Sequence, residues 1–416
     1  MLLQKTNISD TKQHYLILDG LRGAAALMVV WYHVFEGFAF AGGTMIENFN
    51  HGHLGVDFFF MLSGFVISYA YDDRWKTQRH RGTETQSLSI CSFFKRRLIR
   101  LQPMVMMGAL IGLITYLIQG GVRWDGAHMP IHWTMIAFLL AMFLIPAYPG
   151  APYDVRGNGE MYPLNGPSWS LFFEYIGNIL YALFIRKLSN KKLTVLVAAT
   201  GLLWIGFVVF DVSGYDMIGI GWTLDAVNFF GGLLRMMFPF TLGMLLSRNF
   251  MKSTSQQVNK TTSVCPCFKS FVEKNIFWIS IVVMFVLFSM PYISRSGDIS
   301  VNGIYELSCI IFVFPLIVWF GAAGNVMNKI SMKICKFLGD ISYPLYIVHY
   351  PVMYLFYSWL IKNELYTLSE TWQVVLLVMA TNIALAYVCL KLYDEPIRKR
   401  LLKTQNLKTS ESQNNF

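Results

Sequence analysis

The chain has 416 residues, of which 55% are hydrophobic and only 14% are charged, and its formal net charge is +10. Soluble domains carry about 25% charged residues, and apolar runs of about 17–25 residues, each long enough to cross a bilayer, recur along the whole chain. These features exclude an ordinary soluble domain and predict an all-α, polytopic membrane protein.

We predict about ten transmembrane helices with both termini in the cytoplasm. If the first span leaves the cytoplasm, 28 of the 34 Lys and Arg residues fall in cytoplasmic loops or tails, which is the usual bias of membrane proteins. This bias explains the basic charge without a nucleic-acid partner and favours a multi-pass protein of the cell (inner or plasma) membrane. The predicted spans are 16–38, 54–72, 101–118, 168–185, 193–210, 227–247, 276–293, 304–321, 339–361 and 372–390.

Another apolar run, 131–147, is shorter than the predicted spans. If it crossed the membrane, every later loop would change sides and the charge bias would collapse, so we expect a re-entrant or interfacial segment. Residues 1–402 are predicted to form one transmembrane domain, and 403–416 a polar, disordered cytoplasmic tail. The Ser/Thr/Lys-rich stretch 248–275 is predicted to be a flexible cytoplasmic loop.

The first predicted span, "LDGLRGAAALMVVWYHVFEGF", carries Asp19, Arg22, His33 and Glu36. Eleven residues separate Arg22 from His33, which is close to three helical turns, so both point the same way about 16 Å apart. Ionisable groups are costly in hydrocarbon, so we expect this stripe to face the bundle interior as the wall of a passage. The alternatives are a structural polar seam, or Asp19 and Arg22 lying at the cytoplasmic interface.

Two carboxylates are predicted to approach His33 in the outer third of the membrane. Asp57 lies in "HLGVDFFFMLSGF" and Glu174 in "SWSLFFEY", each a short way into a span that enters from outside. A carboxylate that orients an imidazole is a common way to build a general base. His33, Asp57 and Glu174 are therefore the predicted catalytic residues.

The opposite end of the passage is predicted to bind an anion. In "FFKRRLIRLQP", Arg97 and Arg100 lie three residues apart on one helical face, at a depth similar to that of Arg22. Three guanidinium groups suit phosphate oxygens, although ordinary cytoplasmic bias equally explains Lys95 and Arg96. An elongated ligand with a phosphate head and a reactive arm, such as acyl-coenzyme A, would fit this arrangement.

In its motifs and their order, the chain resembles the acyltransferase 3 family of integral membrane O-acyltransferases. The matching segments are "LDGLRGAAALMVVWYH", "LGVDFFFMLSGFVIS", "FFKRRLIRLQP", "PSWSLFFEYIGNILY", "RMMFPFTLGMLL", "LGDISYPLYIVHYPV" and "DEPIRKR". The resemblance implies about ten helices and essential motifs that map onto Arg22 and His33, onto Arg97 and Arg100, and onto Trp169, Ser170, Leu171 and Glu174. For Arg235, a coenzyme A contact and a tie between helices stay open, and His349 is expected to be a structural histidine bonded to a carbonyl.

The resemblance also implies the reaction. We expect transfer of an acyl group, acetyl in the simplest case, from cytosolic acyl-CoA to a hydroxyl of an extracytoplasmic or lipid-linked glycan or another cell-envelope acceptor. Besides these substrates the expected partners are membrane lipids, and no metal is expected because no metal-ligand spacing occurs. A transporter or exporter of a sugar or acyl metabolite is the main alternative, and a non-catalytic membrane scaffold or sensor is a third.

Overall fold

A computed structural model describes residues 15–75, 78–80, 83–85, 88–257, 266–326 and 328–403. The regular secondary structure of this part of the chain is helical apart from one two-stranded antiparallel hairpin of β1 (Gln78–His80) and β2 (Thr83–Thr85). The helices are α1 (Leu16–Phe40), α2 (Leu54–Tyr71), α3 (Ile90–Ile118), α4 (Ile131–Met142), α5 (Ser168–Leu183), α6 (Asn190–Val209), α7 (Ala226–Gln257), α8 (Pro266–Phe288), α9 (Val301–Ser308), α10 (Phe314–Ala323), α11 (Lys329–Asn363) and α12 (Leu368–Cys389).

The protein is a polytopic membrane protein, as its composition predicts. In the described part of the chain, eight helical segments are long and apolar enough to cross a bilayer. They include α9 and α10, which a π-helical turn at Cys309–Val313 joins into one segment. The other two predicted spans also coincide with helices, because 276–293 overlaps α8 and 339–361 lies within α11. The cytoplasmic position of the termini stays a prediction.

Helix α4 accounts for most of the short apolar run at 131–147. Its 12 residues extend about 18 Å, which is less than the hydrocarbon thickness of about 30 Å. This length agrees with the prediction that the run does not cross the membrane. The prediction of a flexible loop at 248–275 is wrong at both ends, because α7 continues to Gln257 and α8 begins at Pro266. Residues 258–265 lie outside the described ranges. The predicted tail lies outside the described residues from 404 onward.

Glycine residues allow the central helices to approach closely. A Cβ atom added to Gly23 of α1 would lie 2.1 Å from the Leu338 carbonyl oxygen of α11, and one added to Gly64 of α2 would lie 1.9 Å from the Phe240 carbonyl oxygen of α7. Membrane helices associate through such small residues because the lipid supplies no hydrophobic force between them. The close approach of α1 and α11 brings the polar face of α1 against polar groups of α11.

Candidate active site

A cavity of about 780 Å³, its open mouth included, lies between α1, α2, α3, α5 and α11. Arg22, Arg97 and Arg100 line it together with one carboxylate, Glu174, so its charged lining has a net charge of +2. The remaining lining is apolar apart from hydroxyl groups, among them those of Ser170, Ser342 and Tyr346. We call it the arginine cavity. Its charge and its hydroxyl groups suit an anionic ligand.

Partners on α1 and α11 hold the Arg22 side chain in place. Its Nε donates a hydrogen bond of 2.8 Å to Ser342 Oγ, and one Nη donates to the Gly339 carbonyl oxygen at 3.3 Å. The same Nη lies 3.3 Å from an Asp19 carboxylate oxygen. Ser342, for which sequence analysis suggests no polar role, therefore orients a guanidinium of the cavity.

Glu174 belongs to the arginine cavity and not to the histidine end of the passage. Its carboxylate accepts a hydrogen bond from Arg97 Nη2 at 2.7 Å and another from Ser63 Oγ at 2.8 Å. The expectation that Glu174 orients His33 is therefore wrong. Distance along a helix predicts the depth of a residue, but Glu174 faces α3 because a buried carboxylate needs a cationic partner.

Arg100 differs from the other two arginines of the cavity. Among the described residues, no hydrogen bond or ion pair engages its guanidinium, and its side chain is exposed toward the cavity. Arg97, by contrast, is buried and paired. Arg100 is therefore the guanidinium in this cavity that a ligand can reach without displacing a protein partner.

Asp57 is also separated from His33, because it pairs with Arg235 of α7. Arg235 Nη2 lies 2.8 Å from one Asp57 oxygen, and Nε lies 3.1 Å from the other. Arg235 also donates to the carbonyl oxygens of His53 and Ile220, both at 3.1 Å, and both charged side chains are almost fully buried. The prediction that Asp57 orients His33 is wrong, and of the two alternatives for Arg235 the structure supports a tie between α2 and α7.

The carboxylate that orients His33 is Glu36, one turn further along α1. His33 Nδ1 lies 2.8 Å from Glu36 Oε2. The same oxygen accepts hydrogen bonds from the hydroxyl groups of Tyr350 at 3.0 Å and Tyr357 at 2.7 Å. The Glu36 carboxylate accepts a hydrogen bond from Nδ1–H, which leaves Nε2 of the neutral imidazole as the basic nitrogen. The signal for this pair was present in the sequence as an i, i+3 spacing on a buried face.

His349 of α11 lies between the arginine cavity and His33. Its ring stacks on the His33 ring with centroids 5.2 Å apart and planes 28° apart. On its other side it lies 5.9 Å from the ring of Tyr346, which lines the arginine cavity. Tyr346 in turn hydrogen bonds to Ser170 Oγ at 2.7 Å. A continuous row of polar side chains thus connects the cavity with the His33–Glu36 pair.

Next to this row, the loop between α4 and α5 contributes buried charges that sequence analysis did not identify. Glu160 accepts a hydrogen bond from Tyr354, and the Arg156 guanidinium lies 3.6 Å from the Tyr354 ring centroid. Burial raises the pKa of the Glu160 carboxyl from 4.5 to about 7 and lowers the pKa of Arg156. Because both residues are almost fully buried, this loop packs firmly against α11.

A second buried cluster ties the segment before α2 to α9. His51 Nδ1 lies 2.8 Å from Glu306 Oε1, and His53 Nε2 lies 3.0 Å from the same oxygen. The other Glu306 oxygen accepts a hydrogen bond of 2.6 Å from the Ile218 backbone N–H. In the described ranges no group of three or more His, Cys, Asp or Glu residues is placed to hold a metal ion. The contacts of Glu306 connect the segment before α2, the backbone at Ile218 and α9.

Comparisons with known proteins identify the family of the chain. The acyltransferase domain of the acyltransferase 3 family matches residues 15–391. A peptidoglycan O-acetyltransferase, OatA of Listeria monocytogenes, is 26% identical over 92% of this chain and 55% of its own length. A putative O-acetyltransferase of Staphylococcus aureus is 23% identical over 94% of this chain and 59% of its own length. The acyltransferase MdmB of Streptomyces mycarofaciens is 28% identical over 42% of this chain and 41% of its own length.

The chain therefore spans little more than half the length of the two O-acetyltransferases that it matches almost from end to end. No solved structure matches it. The family match covers all of the twelve helices given above. It also contains every residue of the arginine cavity and of the His33–Glu36 pair. The chain belongs to the acyltransferase 3 family of membrane acyltransferases.

Proposed function

We propose that this protein is an O-acyltransferase that moves an acyl group, acetyl in the simplest case, from cytosolic acyl-CoA to a hydroxyl group of a glycan or lipid-linked sugar outside the cytoplasm. The observation that carries the proposal is the position of the arginine cavity next to the row of side chains that leads to His33. An anion-binding end and a general base are thereby connected within one helix bundle.

The arginine cavity binds the phosphate groups of the donor. Guanidinium groups form charge-assisted hydrogen bonds with phosphate oxygens in a fixed geometry. Arg22 and Arg97 are already oriented by protein partners, so they lose little side-chain entropy when the donor binds. Arg100 has no such partner among the described residues and makes the first contact with the incoming phosphates. The pantetheine arm then extends along the row toward His33.

The chemistry takes place at Nε2 of His33. This nitrogen removes the proton from the acceptor hydroxyl, and the oxygen attacks the thioester carbonyl carbon. The carbon–sulfur bond breaks, and the leaving thiolate takes the proton back from the imidazolium, so that the products are an O-acyl ester and free CoA. Glu36 stabilises the transient imidazolium through Nδ1, as a carboxylate does in other acyl-transfer sites. In a second route, Nε2 first takes the acyl group and then passes it to the hydroxyl.

The acceptor class is proposed from the relatives. One of them is named as a peptidoglycan O-acetyltransferase, and a membrane protein with donor phosphates on one side can present the acyl group to a substrate on the other side. The loop between α4 and α5 packs on Tyr354, whose ring lies against that of Tyr350 beside Glu36. We expect the acceptor to approach beside this loop. His33 is partly exposed and not fully enclosed, which permits such an approach.

The test uses purified full-length protein in lipid nanodiscs with acetyl-CoA labelled in the acetyl group. We expect CoA release that increases when cell-envelope glycan is added, with label appearing in an O-linked ester that mild base releases. The His33→Ala variant should lose this activity and keep its thermal unfolding midpoint, while His132→Ala, a histidine exposed on α4, should keep both. Full activity in the His33 variant would overturn the mechanism, and label transported without CoA release would indicate a transporter.

A further inference from the structure

The second histidine of the row has a buried nitrogen that the proposed mechanism does not yet use. His349 is fully buried, and its Nδ1 lies 2.9 Å from the Tyr346 carbonyl oxygen and 3.2 Å from that of Leu345. Carbonyl oxygens only accept hydrogen bonds, so Nδ1 carries a hydrogen. In the neutral imidazole, Nε2 is then a hydrogen-bond acceptor. This Nε2 has no partner among the described residues.

An unpartnered polar atom at such a position needs an explanation, because nearly all buried polar groups in folded proteins are hydrogen-bonded. A histidine with a purely structural role would have hydrogen-bond partners on both ring nitrogens, or an apolar residue could replace it at little cost in stability. A buried imidazolium would need a counterion, and the ring contacts of His349 among the described residues, with His33, Tyr346 and Tyr350, supply no negative charge. The acceptor on Nε2 is therefore available for a donor that arrives with the substrate.

The location of His349 selects that donor. The ring contacts Tyr346 of the arginine cavity on one side and His33 on the other, so an acyl chain reaching His33 from the cavity passes it. In the pantetheine arm, an amide N–H lies two carbon atoms from the thioester sulfur. When the thioester is at His33, this amide lies nearer to the arginine cavity, beside the ring of His349, whose centroid is 5.2 Å from that of His33.

We propose that Nε2 of His349 accepts a hydrogen bond from the pantetheine amide nearest the thioester and thereby sets how far the acyl chain extends toward His33. This inference rests on the proposed use of acyl-CoA as donor. It assigns the second histidine of the row to donor recognition, and it identifies the chemical class of the ligand as a thioester with an N–H group close to the sulfur.

The experiment measures donor binding, so that it does not depend on the acceptor. Purified protein in nanodiscs binds labelled acetyl-CoA, which is displaced either by unlabelled acetyl-CoA or by an analogue whose amide nearest the sulfur is an ester. This change removes the N–H and keeps the chain length. We expect the wild-type protein to bind the amide about tenfold more tightly than the ester, as is usual for one lost hydrogen bond to a buried acceptor.

Two variants at this position separate recognition from folding. His349→Asn keeps an N–H near the helix carbonyl groups but removes the acceptor, and we expect its preference for the amide to fall below about twofold. His349→Gln places an amide oxygen near the position of Nε2 and is expected to keep most of the preference. His132→Asn on the exposed face of α4 is the matched control and should discriminate like the wild type.

The outcomes distinguish the inference from the proposed function. Wild-type protein that binds acetyl-CoA but binds amide and ester equally well overturns the role of His349 and leaves the proposed function intact. Equal discrimination in the wild type and in folded His349→Asn protein does the same. Wild-type protein that does not bind acetyl-CoA overturns the proposed donor and this inference together.

Discussion

Replacing Glu36 with glutamine tests the central pair of the proposed site. The Glu36 carboxylate accepts three hydrogen bonds on one oxygen, from His33 Nδ1 at 2.8 Å, Tyr357 at 2.7 Å and Tyr350 at 3.0 Å. A glutamine amide keeps the shape of the side chain but removes its charge. If the amide turns its NH₂ group toward Nδ1, the imidazole proton moves to Nε2, and His33 can no longer act as the base.

The expected loss follows from these contacts. A hydrogen bond to a charged group is worth about 1.5–3 kcal/mol, which corresponds to about 10- to 100-fold in the rate of a step that develops charge on the imidazole. Inversion of the tautomer adds to this loss, so we expect kcat to fall about 10²- to 10⁴-fold, the usual range for general-base catalysis. KM for acetyl-CoA should change little, because Arg22 of the cavity lies about 16 Å from His33 along α1.

The assay is CoA release at varied acetyl-CoA concentration, with thermal unfolding of each variant in the same nanodiscs. Tyr350→Phe removes one of the three donors and keeps the ring, so its kcat should fall by less than about tenfold. Glu364→Gln, at the exposed end of α11, should behave like the wild type. A Glu36→Gln protein that unfolds normally and keeps kcat within about threefold of the wild type would refute the role of Glu36.

Three further predictions follow from other charged groups. Arg100→Ala should raise KM for acetyl-CoA by about tenfold or more without lowering the thermal unfolding midpoint. Arg97→Ala should lower that midpoint, because it leaves the Glu174 carboxylate without its cation. Titration with acetyl-CoA measures KM, and thermal unfolding measures the midpoint of each variant. Asp57→Ala should destabilise the protein by about 3–5 kcal/mol, because it leaves Arg235 buried without its counterion. Denaturant unfolding measures this loss. A variant of normal stability without activity would instead support a catalytic role for Asp57. The pKa of Glu160 is higher in the folded protein than its ordinary value, so the folded state binds more protons and stability should fall as pH rises from about 4.5 to 7. Glu160→Gln should flatten this dependence and raise stability above pH 7 in a series of unfolding midpoints; an unchanged slope would contradict the burial argument.

Periodicity, charge and apolar length are local properties of the chain, and they were sufficient for the class of protein. They predicted the all-helical membrane architecture and assigned each span to a stretch that does form a helix. They also predicted that 131–147 does not cross the membrane, and α4 is too short to do so. The spacing of Arg22 and His33 predicted their shared face, because residues on one helix have a fixed geometry.

Pairing between different helices depends on how each helix is rotated about its axis, and this information is not local. Asp57 and Glu174 lie in the outer halves of their predicted spans, yet each faces an arginine on a neighbouring helix. Close packing at Gly64 fixes which faces of α2 and α7 meet, and so places Asp57 beside Arg235; close packing at Gly23 does the same for α1 and α11. The His33–Glu36 pair is local, since three residues on one helix separate its members. Only the tertiary structure could exclude Asp57 and Glu174 as partners of His33, because each carboxylate takes the cation that packing between helices places beside it.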